Sequence, residues 1–186
     1  MSARRDSSPA APRKVRYGVA MSLDGYIAAP DGGADWIVSD PDIDFGAIFS
    51  RFDTLLIGRR TYETMLTMGQ GGGSFGKRIT SYVVSKTMRQ ADHPKVKVVG
   101  DAEALVRDLK GRPGKDIWLF GGGELFRNLL AAGLVDAVDA AIVPVLLGGG
   151  IPLLPTPASR ARLKLAKHRV YEKSGIVSLE YDVVGA

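Results

Sequence analysis

The sequence has 186 residues and a mass of 19.9 kDa, with 45% hydrophobic and 24% charged residues. This composition is that of an ordinary globular domain and excludes a disordered, collagen-like or coiled-coil chain. The chain has no cysteine and two histidines, which excludes disulfides, thiolate catalysis and cysteine-bound metals, so we expect no metal site. No apolar run approaches the roughly 20 residues that a membrane span needs.

The formal charge of +5 is concentrated at the start of the chain. Residues 1–14 hold four basic residues and one acidic residue, a charge of +3, so the remainder of the chain carries +2. Because this segment is rich in Ser, Pro and Ala without periodicity, we expect a disordered basic tail over 1–14 and a single domain over 15–186. A charge that belongs to a tail argues against a nucleic-acid-binding face. The segment also lacks the apolar core of a secretory signal, which predicts a cytoplasmic protein without a membrane partner.

Apolar runs bounded by turn residues predict strands that alternate with helices along most of the chain. The predicted strands are residues 15–23, 55–57, 79–84, 96–99, 117–120 and 137–147, and the predicted helices follow residues 40, 61, 101 and 123. The first helix is expected to bury Phe45, Ile48, Phe49 and Phe52. Residues 165–171 and the alternating residues 177–183 predict an antiparallel hairpin. Together these elements predict a three-layer α/β/α domain with a mixed sheet that ends in this hairpin.

Two strand-to-helix junctions are rich in glycine. Residues 58–61 (GRRT) offer backbone N–H groups and two guanidinium groups to a nucleotide phosphate, although a plain turn with solvated arginines explains them equally well. Residues 121–123 (GGG) separate an apolar strand from a helix, which favours diphosphate binding over close helix packing. The run is not the dinucleotide fingerprint, since Phe126 occupies the position of its third glycine.

A third glycine-rich stretch, residues 71–77, fits G-x-x-x-x-G-K. Arg78 stands where magnesium coordination needs Ser or Thr, and the stretch follows a helix, so we reject a phosphate-binding loop of that kind. We interpret residues 69–76 as a mobile loop at the mouth of a site.

Acidic residues in the first quarter of the chain each have two interpretations. Asp24, which precedes a glycine, is either a hairpin-turn residue or a site residue at the carboxyl end of the first strand. A second group comprises Asp35, Asp40, Asp42 and Asp44. Acids at a helix start stabilise the helix dipole, and the rival interpretation is a proton donor or substrate anchor in a cleft.

The order of these motifs is typical of a known family. The phrases MSLDGYIA, LIGRRTYE, FGGGEL and VDAVDAAIVPVLLGGG occur in that order, before the terminal hairpin. Over residues 15–184 the sequence resembles the dihydrofolate reductase-like fold, in the branch typified by the reductase domain of bacterial riboflavin biosynthesis. The resemblance implies an NADPH-dependent oxidoreductase that transfers a hydride to a pterin-like or aminopyrimidine-like small molecule. The alternative is a non-catalytic nucleotide-binding relative with the same fold.

The resemblance also implies roles for residues of this sequence. The implied cofactor-binding residues are Ala20, Gly58, Arg59, Arg60, Thr61, Ser85, Lys86, Gly121, Gly122, Gly123, Glu124 and Leu125. Of these, Ser85 and Lys86 match the position that reads the adenosine 2′-phosphate. The implied substrate contacts are Met21, Trp36 and Phe120, and the implied catalytic acids are Asp24 and Asp42. Spacing back from Gly58 indicates Asp42 for the second acid, whereas spacing from Trp36 indicates Pro41.

Two further expectations follow from the same resemblance. The deaminase domain of riboflavin enzymes is absent from the sequence, so we expect a stand-alone reductase and do not infer membership of that pathway. The strand that begins at Ala137 and the terminal hairpin are expected to pair two subunits as a homodimer.

Overall fold

The computed structural model describes residues 12–69 and 78–185, so most of the expected tail and of the expected mobile loop lies outside the described residues. The helices are α1 (Phe45–Ser50), α2 (Arg59–Thr67), α3 (Ala102–Lys110) and α4 (Gly123–Ala131). The strands are β1 (Val15–Ser22), β2 (Tyr26–Ala28), β3 (Phe52–Gly58), β4 (Thr80–Val84), β5 (Lys97–Val99), β6 (Asp116–Gly121), β7 (Ala137–Val143), β8 (Ile151–Pro152), β9 (Arg162–Tyr171) and β10 (Ile176–Gly185). None of the helices in these two ranges is long and apolar enough to cross a membrane.

Eight strands form one mixed sheet in the order β5-β4-β3-β6-β1-β7-β10-β9. The six strands from β5 to β7 are parallel, and β10 runs antiparallel to both β7 and β9. The parallel part and the terminal hairpin confirm the predicted mixed sheet. A separate two-stranded sheet pairs β2 with β8. Because β2 pairs with β8, the turn after β1 does not form the hairpin that its Asp-Gly pair indicated.

Helices cover both faces of the parallel part of the sheet, which confirms the three layers. On one face, α3 and α4 bury leucines and Phe126 against β1, β3 and β6. Phe126 stacks on Tyr17 of β1 with ring centroids 3.9 Å apart. On the other face, α1 and α2 pack against an aromatic cluster centred on Trp118 of β6. The indole lies directly over Gly18 and donates a hydrogen bond to its carbonyl oxygen at 3.1 Å.

The predicted elements all occur, but two of them are several residues shorter than predicted. The first helix begins at Phe45 rather than after Asp40, because the Asp44 carboxylate accepts a hydrogen bond from the N–H of Ala47 and caps the helix there. Phe52, expected on that helix, is the first residue of β3, and Phe45, expected to be buried, is 50% exposed. The strand predicted over 137–147 ends at Val143, and the chain beyond it belongs to a loop.

Residues 12–14, which were expected in the tail, lie within the described part of the chain and contact the domain. Arg13 is buried, forms an ion pair with Asp53, and donates to Thr54 Oγ1 at 2.7 Å and to the carbonyl oxygen of Lys115 at 2.6 Å. Arg13, a basic residue expected in the tail, therefore joins the start of β1 to β3. Residues 1–11 lie outside the described part of the chain.

The turn of the terminal hairpin supports the loop before α1. The carboxylate of Asp40, which is 2% exposed, accepts hydrogen bonds at 2.9 Å from the backbone N–H groups of Asp42 and Ser174. Lys173 forms an ion pair with Asp42 at 3.0 Å. Hydrogen bonding from Ser174 and from the backbone lowers the pKa of Asp40 below its ordinary value. Two segments far apart in sequence are thus joined through ionised carboxylates.

A charged network joins β1, β7 and β10 on the face that carries α1. Both Nε and Nη2 of Arg16 donate to the Asp139 carboxylate at 2.8 Å, and Nη2 also donates to Glu180 at 2.9 Å. Arg51, which follows α1, donates to Glu180 at 3.1 Å. Burial raises the pKa of Asp139 above its ordinary value, and the guanidinium of Arg16 opposes that shift.

We expect the substitution Arg16→Met to lower the free energy of unfolding by about 3 kcal/mol, because it leaves two carboxylates facing a buried apolar chain. The matched control is Arg112→Met, which breaks an exposed pair with Asp108 on α3 and should cost about 0.5 kcal/mol or less. The double variant Arg16→Met/Asp139→Leu should recover most of the loss, since it keeps the pair of Arg51 and Glu180. Urea denaturation followed by tryptophan fluorescence measures all three. Equal losses of unfolding free energy for the two single variants would show that the charged network stabilises the fold no more than an exposed ion pair does.

The Asp40 contacts predict a specific dependence of stability on pH. The pKa of Asp40 is lower in the folded chain than in the unfolded chain. Its contribution to the free energy of unfolding is therefore fully present above the pKa of the unfolded chain, and it disappears as the pH falls through the pKa of the folded chain. The variant Asp40→Asn should therefore lose less unfolding free energy on acidification than the wild type, as measured by urea titrations at a series of pH values. Asp108→Asn on the exposed face of α3 is the control, and identical acid profiles for wild type and Asp40→Asn would contradict the prediction.

Candidate functional site

The candidate site lies at the carboxyl ends of β4, β3 and β6, which are neighbours in the sheet. Because these strands are parallel, the segments that follow them emerge at one edge. The segments are residues 85–86 after β4, residues 58–61 at the end of β3, and residues 121–123 at the end of β6. The topology therefore brings together the two glycine-rich junctions and the predicted phosphate-reading pair.

The backbones of the two junctions touch. A Cβ atom added to Gly58 would lie 3.3 Å from the amide nitrogen of Gly122 and 3.5 Å from the carbonyl oxygen of Gly121. The Thr61 hydroxyl lies 3.2 Å from the corresponding position on Gly122. The peptide between Gly121 and Gly122 is cis, and Gly121 has a φ of 151°, which a residue with a side chain rarely adopts. The glycines thus form a single bare backbone surface.

Both helices start at this surface without a side-chain cap. Gly58 is the N-cap of α2 and Gly122 is the N-cap of α4, and neither has a side chain that could accept from the first backbone N–H groups. Two positive helix ends with unbonded donors therefore face the same edge, which suits the negative oxygens of a diphosphate. Leu125 is buried in the core, so of the predicted pair Glu124 and Leu125 only Glu124 exposes its side chain.

The cationic side chains around this surface differ in their contacts and exposure. Arg59 is held by Glu63 on the next turn of α2 at 2.9 Å. Arg60 and Lys86 are exposed. The Ser85 hydroxyl accepts from the backbone N–H groups of Thr87 and Met88 at 3.2 and 3.0 Å, so it shapes the turn that presents Lys86.

The residues predicted to hold nicotinamide and substrate lie at the end of β1 and in its surroundings. Ala20 and Trp36 belong to one apolar cluster, and Phe120 packs edge-on against Trp118 with centroids 5.2 Å apart. Ala20 and Phe120 point to the face of the sheet that carries α1. Met21 follows Ala20 in the same strand, so its side chain points to the opposite face and is not brought together with Phe120.

The two acids predicted to be catalytic make contacts elsewhere. The Asp24 carboxylate accepts from the Ser22 hydroxyl at 2.6 Å and from the N–H groups of Leu147 and Gly148. The hydrogen bond from Ser22, with those from the two amides, lowers the pKa of Asp24. Asp42 is exposed and paired with Lys173. These contacts join Asp24 to the loop after β7, and the catalytic roles of both acids stay predictions.

The contacts of two features of this region were not predicted from the sequence. Trp118, which fills the space over Gly18, belongs to an aromatic group with Phe49 and Phe52 whose ring centroids lie 5.4 and 5.2 Å from the indole. The loop over residues 144–155 contacts both the end of β1 and the start of α4. The glycines and prolines of this loop were the only signal that it makes close contacts, and they do not name the partners.

An open concavity of about 440 Å³ lies away from this edge, near the start of β1. Lys14, Asp136 and Asp182 contribute to its walls. Lys14 pairs with Asp182 and Lys110 pairs with Asp136, so the charges at this concavity neutralise one another. We therefore assign no site to it.

Comparison with known proteins agrees with this geometry. Over 178 residues the chain is 33% identical to YyaP of Bacillus subtilis strain 168, an uncharacterised protein, covering 91% of this chain and 94% of YyaP. A provisionally named riboflavin biosynthesis protein of Shewanella sp. PV-4 is 29% identical, with a TM-score of 0.76 and coverage of 91% of this chain and 98% of that one.

A dihydrofolate reductase of Enterococcus faecalis, solved with NADP(H), superposes with a TM-score of 0.67 at 17% identity, covering 92% of this chain and 96% of the reductase. At that identity the match shows the fold, which is dihydrofolate reductase-like. Residues 13–177 match the RibD C-terminal domain family over most of the chain. Because this match covers most of the chain, the protein, with its two glycine junctions at one sheet edge, belongs to the RibD C-terminal domain family.

Proposed function

We propose that this chain is an NADPH-dependent reductase of a pterin-like or aminopyrimidine-like small molecule. The observation that carries the proposal is the contact between residues 58–61 and 121–122, which makes one bare backbone surface with two uncapped helix starts. A side chain at Gly58 would press on the backbone that the diphosphate needs. The residues present therefore fit a dinucleotide.

In this proposal, different residues around the surface bind different parts of the cofactor. The N–H groups at the starts of α2 and α4 would hold the diphosphate, and Lys86 with Arg60 would hold the 2′-phosphate that distinguishes NADPH from NADH. Ala20 and Phe120 would bound the nicotinamide and the substrate. When bound, NADPH supplies a hydride to an electrophilic carbon of a C=N or C=O group, whose nitrogen or oxygen then takes a proton.

We propose that this proton comes from water. Asp24, Asp40 and Asp44 each accept hydrogen bonds from backbone amides, and Asp42 is paired with Lys173. In this proposal the chain contributes mainly by orienting the two reactants and keeping them close, rather than by acid catalysis.

The first measurement is a titration of the purified protein with NADPH and with NADH, followed by tryptophan fluorescence. Trp36 lies in the apolar cluster beside Ala20 and Trp118 is in contact with Phe120, so bound dinucleotide should quench both. We expect NADPH to bind more tightly than NADH. Binding of both with no turnover on a panel of pterins and aminopyrimidines would favour the non-catalytic alternative, and no response to either would overturn the proposal.

We expect Lys86→Ala to weaken NADPH binding about tenfold while NADH binding changes less than about twofold, because a charge-assisted contact to phosphate contributes about 1.5 kcal/mol or more. Arg107→Ala is the matched control, since Arg107 is exposed on α3 in the opposite layer. Dissociation constants from the same titration give the comparison. An equal loss for NADH would show that Lys86 does not read the 2′-phosphate.

We also propose that two copies of the chain pair through one face of the terminal hairpin. Leu163, Leu165 and Val170 of β9 are 45%, 47% and 49% exposed, and they lie across from half-buried apolar residues of β10. We call these β9 residues, with their partners Val177, Tyr181 and Val183, the hairpin apolar face. Pairing along the edge of β9 is disfavoured because this strand carries four Lys or Arg side chains and no acid. A face-to-face dimer buries the apolar row without bringing those cations together.

If the hairpin apolar face joins two copies, Leu165→Lys should convert a dimer into a monomer without unfolding it. Light scattering after size-exclusion chromatography gives the mass, and circular dichroism checks the fold. Leu66→Lys on α2 is the control, because Leu66 is similarly exposed at 41% on the far half of the sheet. A monomeric wild type, or a dimeric Leu165→Lys variant, would contradict this interface.

A further inference from the structure

Residues 144–155 form a strap that runs from the end of β7, past the residues that follow β1, to the start of α4. Near its first end, the carbonyl oxygen of Val145 accepts from the N–H of Leu23 at 2.9 Å, which extends the ladder of β1 and β7. Further along, Leu153 donates to Gly25 at 2.9 Å, and β8 pairs with β2. The strap is therefore bonded repeatedly to the residues that follow β1.

The other end of the strap touches the glycine surface. A Cβ atom on Gly123 would lie 2.8 Å from Pro155 and 2.9 Å from the carbonyl oxygen of Pro152. Gly123 is the first residue of α4, whose N–H groups are those proposed for the diphosphate. One segment thus fixes the distance between the nicotinamide end and the diphosphate end of the proposed cofactor site.

A single carboxylate holds the middle of the strap. Asp24 Oδ2 accepts from the N–H of Gly148 at 2.7 Å, and both carboxylate oxygens lie 3.1–3.2 Å from the N–H of Leu147. The Ser22 hydroxyl donates to Asp24 Oδ1 at 2.6 Å and accepts from the N–H of Tyr26 at 3.0 Å. Asp24 therefore joins three donors from two segments, and these contacts occupy both of its oxygens.

We infer that Asp24 is a positioning residue, whose carboxylate holds the strap so that the end of β1 and the start of α4 keep the spacing that the cofactor needs. The inference rests on the proposed function, because the ligand positioned is NADPH. It replaces proton transfer as the reason for this acid. An anionic acceptor is needed here because two adjacent backbone N–H groups and a hydroxyl donate to the same side chain.

The test uses full-length protein with Asp24→Ala and Asp24→Asn, and NADPH is the probe. We expect Asp24→Ala to weaken NADPH binding about tenfold, because the strap loses the carboxylate that accepts from the N–H groups of Leu147 and Gly148. The amides of Leu147 and Gly148 should exchange hydrogen faster in the unliganded variant. Asp24→Asn keeps one acceptor oxygen, so it should rescue part of both effects. A role confined to global stability would move the thermal midpoint without this graded rescue.

Two further variants sharpen the experiment. Asp31→Asn is the matched control, because Asp31 lies in the loop after β2 and accepts a local hydrogen bond from Gly33. It should leave both readouts unchanged. Ser22→Ala removes one donor but keeps the two amide contacts, so its effect on NADPH binding should be smaller than that of Asp24→Ala. If Asp24→Ala does not fold, Asp24→Asn and Ser22→Ala carry the comparison.

The possible failures are distinguishable. Unchanged exchange of Leu147 and Gly148 in Asp24→Ala would overturn the positioning role while leaving the proposed function intact. Faster exchange with unchanged NADPH affinity would show that the strap does not matter for the cofactor, which also overturns the inference. A wild-type protein that binds no NADPH would overturn the proposed function, and the positioning role with it.

Discussion

The candidate site depends on the parallel pairing of β3 with β6. Parallel neighbours end at the same edge of a sheet, so the turn after each strand meets the other, and here the meeting is between Gly58 and Gly122. The contact is tight: the amide nitrogen of Gly122 lies 3.3 Å from the place of a Cβ on Gly58, so a side chain there would need the neighbouring backbone to move by a few tenths of an ångström. Because both turns also start helices, one ligand can receive two sets of free N–H groups. The register of two strands, rather than any one side chain, makes the surface.

Local signals explain why much of this could be predicted from the sequence. The Asp101 cap of α3, confirmed by its bond to the N–H of Ala104, and the alternating residues of β10 are each read from neighbours along the chain. The two glycine junctions were weak motifs when taken singly. The order of motifs along the chain, through its family resemblance, joined them correctly at one edge, because strand order is a property of the fold and is carried by the whole sequence.

The acids could not be assigned from the sequence because their partners are distant in it. Asp40 accepts from Ser174, Asp42 pairs with Lys173, and Asp24 accepts from Leu147 and Gly148. An Asp before a proline or a glycine is compatible with a helix cap, a turn or a catalytic role, and nothing within a few residues decides among them. The same reason explains the late start of α1. With the Asp40 carboxylate bonded to the hairpin turn, Asp44 is the residue that caps the helix.

The two halves of the sheet serve different ends, and β1 and β7 connect them. The parallel half carries the glycine surface, whereas the hairpin of β9 and β10 supports the loop that carries Trp36 toward Ala20. Arg16 joins the two halves, because its guanidinium bridges Asp139 of β7 and Glu180 of β10. It lies on β1, on the same face as Ala20. A shift of the hairpin would therefore be transmitted through ion pairs to β1, which borders the nicotinamide in the proposed function, and through Asp40 to the loop that carries Trp36. The hairpin itself contributes no predicted ligand contact. The charged network that stabilises it nevertheless links its position to the geometry of the candidate site.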